Sequence, residues 1–326
     1  MELPGGEVLR GSFRDGLPHG ECEYFDPEDK TTLVGIYDCG QLNGPAVQLD
    51  ETRSRLVFRG SFQKDLRVGL AEVYDDYGGC VIGEVDGAGE HSGDNIMYVF
   101  PDGLTALVGT FQEGEFQRGR YATVLHEGLA TAKLTLEGVN ELCMPEYVLS
   151  QIPEVHRDVS TREKLCNQPL VPDLYEELRV EVRKSRMNSE MDGLFARRSL
   201  KAGELCSWYN GLRCTHEEVD ARDWRWNDAT MTLDAETVLD VPAAFVPVDA
   251  FTACLGHKAN HHKPNNATYD VFDHPRFGFI KAIRALRDIE AGEEICCDYG
   301  YEGDPEDLPE WYAAPHGSQA ATAESG

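Results

Sequence analysis

Over the first 125 residues, glycine and apolar positions recur with a fixed period. Gly11, Gly35, Gly60, Gly83 and Gly109 are separated by 24, 25, 23 and 26 residues. Two residues after each comes Phe13, Tyr37, Phe62, Val85 or Phe111, and a second glycine follows nine or ten residues on, at Gly20, Gly44, Gly69, Gly93 and Gly119. Self-similarity at this spacing is the mark of a stacked repeat. Turn formers such as Asp15-Gly16 and Glu113-Gly114 lie between the two glycines. Each unit therefore reads as strand, tight turn, strand, with its aromatic on the buried face. One hairpin cannot bury an apolar face alone, so about five units stack into an elongated antiparallel sheet.

The pattern weakens over 126–177, where Pro145, Pro153, Pro169 and Pro172 break any long helix. This segment reads as a connector, irregular over SQIPEVHRDVSTREKLCNQP. From 178 onward short β-type runs return: LRVEVRK, CSWYNGL, ETVLDVP, ATYDVFDH, GFIKAIRAL and EEICCDYG. The stretch 216–226 predicts a helix, with Thr215 as N-cap and acidic residues in its first turn. The final residues, APHGSQAATAESG, are small and polar and are expected to be disordered. The chain is thus expected to be mainly β, with a repeat sheet over 1–125, a connector over 126–177, a second domain over 178–301 and a terminal segment over 302–326.

Composition changes this picture in two respects. The formal charge is −28, and it is distributed, −12 over residues 1–125 and −16 over the rest. Such a surface repels phosphate backbones and anionic headgroups, so neither nucleic acid nor a membrane is an expected partner. It attracts basic peptides and speeds their encounter. The ten cysteines form no CxxC pair, so reduced, mostly buried thiols are expected. No apolar run approaches the roughly 18 residues of a spanning helix, and the N-terminus lacks a signal-peptide pattern. The chain is therefore expected to stay inside the cell.

Two short segments concentrate the candidate chemistry. GHKANHH at 256–262 is followed by Tyr269 and by DYGY at 298–301; YNG at 209–211 and DGLF at 192–195 accompany them. Together they resemble a SET-domain lysine methyltransferase, a fold of small β-sheets in which the Asn-His and Tyr segments cross in a pseudoknot. The resemblance implies S-adenosylmethionine on one side of the crossing and a lysine channel on the other. It further implies that Tyr299 is the main catalytic tyrosine, and that Tyr209 and Tyr269 narrow the channel and limit how many methyls are added. For the cofactor it implies Glu190, Met191, Asp192, Gly193, Asn260 and His261, with Trp311 covering the adenine. For the substrate it implies Tyr209, Asp220, His257, Ala259, Lys281, Tyr299 and Tyr301.

Lysine methylation is an in-line displacement, so the amine must first lose the proton that its reference pKa of about 10.4 would keep. Tyrosine suits such a channel, since its ring walls the aliphatic stem and its hydroxyl orients the amine. A competing reading takes Cys254, His257, His261 and His262 as metal ligands, but a second ligand pair at the usual loop spacing is missing. No CxC follows Tyr301, so no post-SET zinc is expected. Relative to the family pattern, Met191 replaces a glycine and Pro264 lies four rather than five residues after Asn260.

The repeats GSFRDGLPHG, GIYDCGQLNG and GSFQKDLRVG resemble MORN units, and their charge favours a spacer that shapes a groove over a lipid-binding sheet. MORN repeats, a SET domain, and a C-terminal Trp-Tyr cap with a short helix together resemble the Set seven/nine type of lysine monomethyltransferase. That resemblance implies a metal-free monomer acting on the fourth-residue lysine of the histone three tail and on non-histone proteins, in nucleus and cytoplasm. The alternative in another class is a MORN/SET scaffold that binds basic partners without turnover.

Overall fold

The computed structural model describes residues 1–2, 5–125, 136–222 and 229–300. Its two units are residues 1–157 and 158–326. In the first, ten antiparallel strands from β1 (Val8–Arg14) to β10 (Glu115–Val124) pair in strict chain order. Asp15-Gly16, Cys39-Gly40, Lys64-Asp65 and Glu113-Gly114 each place two successive residues at positive φ. That is the type I′ turn, whose twist matches the twist of paired strands.

The opposite ends of the strands are joined by longer loops, each tied by an aspartate. Asp26, Asp50, Asp75 and Asp102 each accept two backbone N–H groups of their own loop. Gly60 faces Ala46 across the sheet, and a Cβ there would lie 2.7 Å from the Phe58 ring. Gly20, Gly44 and Gly69 take positive φ in the returning strands, where the strand register slips.

Burial corrects the expectation for the aromatics. Phe111 is buried against Phe116, ring centroids 5.5 Å apart, but Phe13 is 42% exposed, and Tyr37 and Phe62 are half-buried. Phe111 lies on the turn side of a slip as these three do. What differs is the residue opposite: Phe111 faces the buried Phe116, whereas Phe13 faces Pro18 and Phe62 faces Arg67.

Parts of the expected connector complete this unit. β11 (Tyr147–Leu149) and β12 (Val155–His156) both pair with β10, and α1 (Leu136–Val139) packs on Val47, Leu49 and Leu56. Within the sheet Arg59 donates to both Glu72 oxygens at 2.8 and 2.7 Å, and the Tyr74 hydroxyl donates to the same carboxylate at 2.7 Å. Both charged side chains are buried. The bidentate geometry is what makes burying them tolerable.

The second unit contains three small sheets among the described residues. One has the order β13 (Val180–Lys184), β14 (Asp192–Ala196), β22 (Glu294–Cys297) and β19 (Asn260–His261). Another sets β15 (Leu205–Tyr209) beside β21 (Gly278–Ala285) and then β20 (Ala267–His274). The third places β18 (Thr237–Asp240) between β16 (Leu212–Thr215) and β17 (Thr230–Thr232). Trp208 anchors the core, stacked 4.6 Å from Phe272 and 5.1 Å from Tyr175.

The expected helix at 216–226 appears as α3 (His216–Asp220), opened by a capping box of Thr215 and Glu218. The expected C-terminal helix and tail fall outside the described residues. No helix among the described residues is long and apolar enough to cross a membrane.

Candidate active site

The site forms where two distant segments run side by side. Asn260 pairs with Cys296 and His261 with Cys297, in parallel. Asn266 fastens the pair: its side-chain oxygen accepts the Cys296 N–H at 2.8 Å, and its amide donates to the Glu294 carbonyl at 2.8 Å. Leaving this crossing, Tyr299 donates its N–H to His261 Nδ1 at 3.2 Å and its hydroxyl to the Ala259 carbonyl at 2.9 Å. His261 therefore uses Nδ1 as an acceptor and carries its ring proton on Nε2.

Three tyrosines follow one another in space. The Tyr299 and Tyr269 rings are 6.5 Å apart, and those of Tyr269 and Tyr209 are 6.3 Å apart and nearly perpendicular. The Tyr209 hydroxyl donates to the Ala229 carbonyl at 2.5 Å. The Tyr269 hydroxyl is hydrogen-bonded to the Cys297 thiol, whose acidity burial suppresses. The structure brings together the three tyrosines named from the sequence, with Cys297, which the sequence reading did not assign to the site, against Tyr269.

Two clefts meet at this row. A cavity of about 400 Å³ is lined by all three tyrosines together with Asp220, His257 and Ala259. A second, of about 530 Å³, is lined by Met191, Asp192, Val246, Lys258 and Asn260 and again by His257 and Tyr299. Among the described residues, His257 and Tyr299 are the two that line both. Burial, reinforced by the neighbouring Lys258 charge, pushes the His257 imidazole down to about 4, so the shared wall is uncharged on that side at neutral pH.

The larger cleft has a polar end. Lys258 donates to Asp192 at 2.9 Å and Lys184 to its other oxygen at 3.1 Å. These two lysines hold the Asp192 carboxyl below its ordinary range, Lys258 contributing most. Asn260 spends its amide hydrogens on the Asp192 carbonyl at 2.9 Å and on Glu294 at 3.1 Å, which leaves its oxygen for a ligand. Gly193 lies beneath: a Cβ there would sit 2.3 Å from the Glu294 carboxylate and 3.2 Å from the Asn260 amide. Lys258, Glu294 and Asn266 were not read from the sequence. Their partners lie tens of residues away, so no local spacing marks them.

Other expected residues are placed differently. Glu190 is exposed in the turn before Met191 and does not line the cleft. Lys281 pairs with Tyr209 across β15 and β21 without lining either cleft, and burial lowers its pKa. Tyr301 and Trp311 lie outside the described residues. Cys254, His257, His261 and His262 do not converge, and no group of three or more His, Cys, Asp or Glu able to hold a metal occurs among the described residues.

The Asn-His strand runs parallel to the strand that leads into the Tyr segment, beside two clefts, and the SET-domain model matches residues 192–300. Residues 62–132 match the N-terminal region of the histone H3 K4-specific methyltransferase SET7. The histone-lysine N-methyltransferase SETD7 of Halocynthia roretzi is 36% identical over 275 residues, covering 82% of this chain and 69% of its own. The chain belongs to the SET7-type lysine methyltransferase family. Among solved structures, a humanized mutant of the Chaetomium thermophilum Polycomb Repressive Complex 2 bound to the inhibitor GSK343 shares 26% identity over 37% of this chain and 15% of its own. Its TM-score of 0.29 is too low to carry a structural argument.

SET methyltransferases use S-adenosylmethionine, and the larger cleft fits it. Its volume is in the usual range for small-molecule sites. Val241, Val246 and Pro247 offer an apolar wall, while Asp192, Lys258 and Asn260 would hold a charged amino-acid end.

Proposed function

We propose that this chain transfers a single methyl group to the ε-amine of a protein lysine, on the histone three tail at its fourth residue and on non-histone basic proteins. One observation carries the reading: the row Tyr209–Tyr269–Tyr299 walls one cleft and touches the second through Tyr299. S-adenosylmethionine, when bound, supplies an electrophilic methyl on a sulfonium.

The chain's own groups prepare the amine. The protons of Tyr299 and Tyr209 are committed to the Ala259 and Ala229 carbonyls, so both hydroxyl oxygens face the channel as acceptors for amine N–H groups. The aromatic walls remove water from the lysine stem, and desolvation favours the neutral amine. Uncharged His257 adds no repulsion next to a cationic reactant. Positioning of this kind can supply much of the rate acceleration. The acidic surface suits lysine-rich tails in nucleus and cytoplasm and ill suits nucleic acid or membranes.

The test is transfer of labelled methyl to lysine peptides, with products read by mass spectrometry. Wild type should stop at one methyl. Tyr269→Phe opens about a water's space beside the amine at the cost of one hydrogen bond, on the order of 1 kcal/mol, so activity should persist and dimethyl product should appear. Trimethyl product from wild type would sink the monomethyl reading, and cofactor binding without any turnover would favour the scaffold alternative.

A further inference from the structure

The channel has two walls that come from separate parts of the chain. One is the end of β15, where Trp208 precedes Tyr209. The other is the segment from Leu255 through the 3-10 turn Gly256–Lys258 to Ala259, whose carbonyl receives the Tyr299 hydroxyl. Covalently the walls are more than forty residues apart, yet they touch. A Cβ on Gly256 would sit 2.6 Å from the Trp208 carbonyl.

One side chain spans both walls. Glu176, in α2 (Leu174–Glu177), is 1% exposed. Its Oε1 accepts the Trp208 N–H at 2.9 Å and the Leu255 N–H at 2.9 Å, and the Ser207 hydroxyl donates to the same oxygen. Its Oε2 lies 3.1 Å from the Leu255 nitrogen. Among the described residues no Arg or Lys is bonded to this carboxyl, unlike Glu72, which Arg59 neutralises.

Two titratable groups act on it. Asp173, the N-cap of α2, accepts from the Glu176 N–H, from Trp208 Nε1 and from His274, and the Cys254 thiol, one residue before Leu255, is pushed up by burial and by the Glu176 charge. Arg276 spends its guanidinium on the Val171 and Gln168 carbonyls. Burial raises the Glu176 pKa to about 8. A buried carboxyl surrounded by neutral donors and lacking a cation is costly as pure scaffolding. What it gains here is a fixed distance between the Tyr209 wall and the His257–Ala259 wall.

We propose that Glu176 is a positioning residue for the methyl transfer, a clamp that holds the two walls of the lysine channel at the separation the tyrosine row requires. The proposal rests on the functional reading above. Glu176 touches neither reactant. It acts through Trp208 and Leu255, each within two residues of a channel residue.

The clamp predicts a split between cofactor binding and turnover. Glu176→Ala should lower kcat on a lysine peptide at least tenfold and release dimethyl product. Its loss of affinity for S-adenosylmethionine should be well below its loss of rate, because Asp192, Gly193 and Asn260 lie outside the clamped segment, which brings His257 and Lys258 to the cofactor cleft. Glu176→Gln keeps an oxygen for both N–H groups and should regain at least a third of the wild-type rate. Should the alanine variant not fold, Glu176→Asp takes its place, since it is one methylene too short to span both nitrogens. Hydrogen exchange at the Trp208 and Leu255 amides should quicken in the alanine or aspartate variant, and this reads the clamp even if wild type transfers no methyl. A folded variant with wild-type rate and product, a parallel loss of affinity and rate, or a glutamine variant no better than alanine would each overturn the proposal.

Discussion

The two units of this chain join their polar groups over different sequence distances. In the repeat sheet short separations recur: Arg59 and Glu72 are thirteen residues apart on adjacent strands, buried His91 meets the Ala71 carbonyl twenty residues back, and each loop aspartate binds N–H groups two to five residues on. In the second unit long ones recur: Glu176 reaches Leu255 across 79 residues, Glu294 accepts the Arg186 N–H across 108, and Asn266 binds Cys296 across 30. A local network stabilises the piece that contains it. A remote one brings distant segments to a single place, which a two-cleft site needs.

The contrast can be broken most forcefully in the repeats. Arg59→Ala leaves Glu72 buried without its cation, a lesion of about 3–5 kcal/mol, to be read from denaturant unfolding. If the networks are local, the folded variant should still bind S-adenosylmethionine within twofold of wild type, and a larger change would show that the units are coupled. Asn266→Ala is the mirror experiment. It strands the Cys296 N–H at about 1–3 kcal/mol and should weaken cofactor affinity at least fivefold by calorimetry, since Asn260 pairs with the strand that Asn266 holds. Unchanged affinity would mean that the crossing is kept by its backbone alone.

Tyr299→Phe probes chemistry in place of assembly. Single-turnover rate should fall at least tenfold, roughly 1.4 kcal/mol, with stability and cofactor affinity little altered. An unchanged rate would remove Tyr299 from its assigned role.

The gentlest test is pH. Glu176 is raised from 4.5 to about 8, so the stability it contributes is complete below about pH 4.5 and is lost as pH rises through 8. His257 is lowered from 6.5 to about 4, so its contribution is present above pH 6.5 and is lost as pH falls towards 4. The denaturation midpoint of wild type should therefore decline relative to Glu176→Gln between pH 5 and 8. A difference between the two that does not vary with pH would show that Glu176 keeps one protonation state throughout.

Legibility in the sequence follows the same divide. The hairpins could be read because glycine period and Asp-Gly turns are features of adjacent residues. The loop aspartates at 26, 50, 75 and 102 carry a similar period and were open to the same reading. The buried aromatic face failed at Phe13 because burial depends on the residue that pairing sets opposite, Pro18 there and Phe116 at Phe111, which alternation along one strand does not encode. At the site, the tyrosines and Asn260-His261 were legible through family resemblance. Glu176, Lys258, Asn266 and Glu294 were not, since each has meaning only beside a residue that folding brings to it.

The wall shared by the two clefts has a kinetic consequence. On the function proposed above, Tyr299 and His257 stand between a donor side and an acceptor side whose other linings, among the described residues, are distinct. Neither reactant has to pass through the other's place to arrive or depart. Binding therefore need follow no compulsory sequence, and spent donor can be exchanged while the peptide stays seated. On that proposed function, the room beside three hydroxyls then limits how many methyls a lysine receives, whichever reactant arrives first.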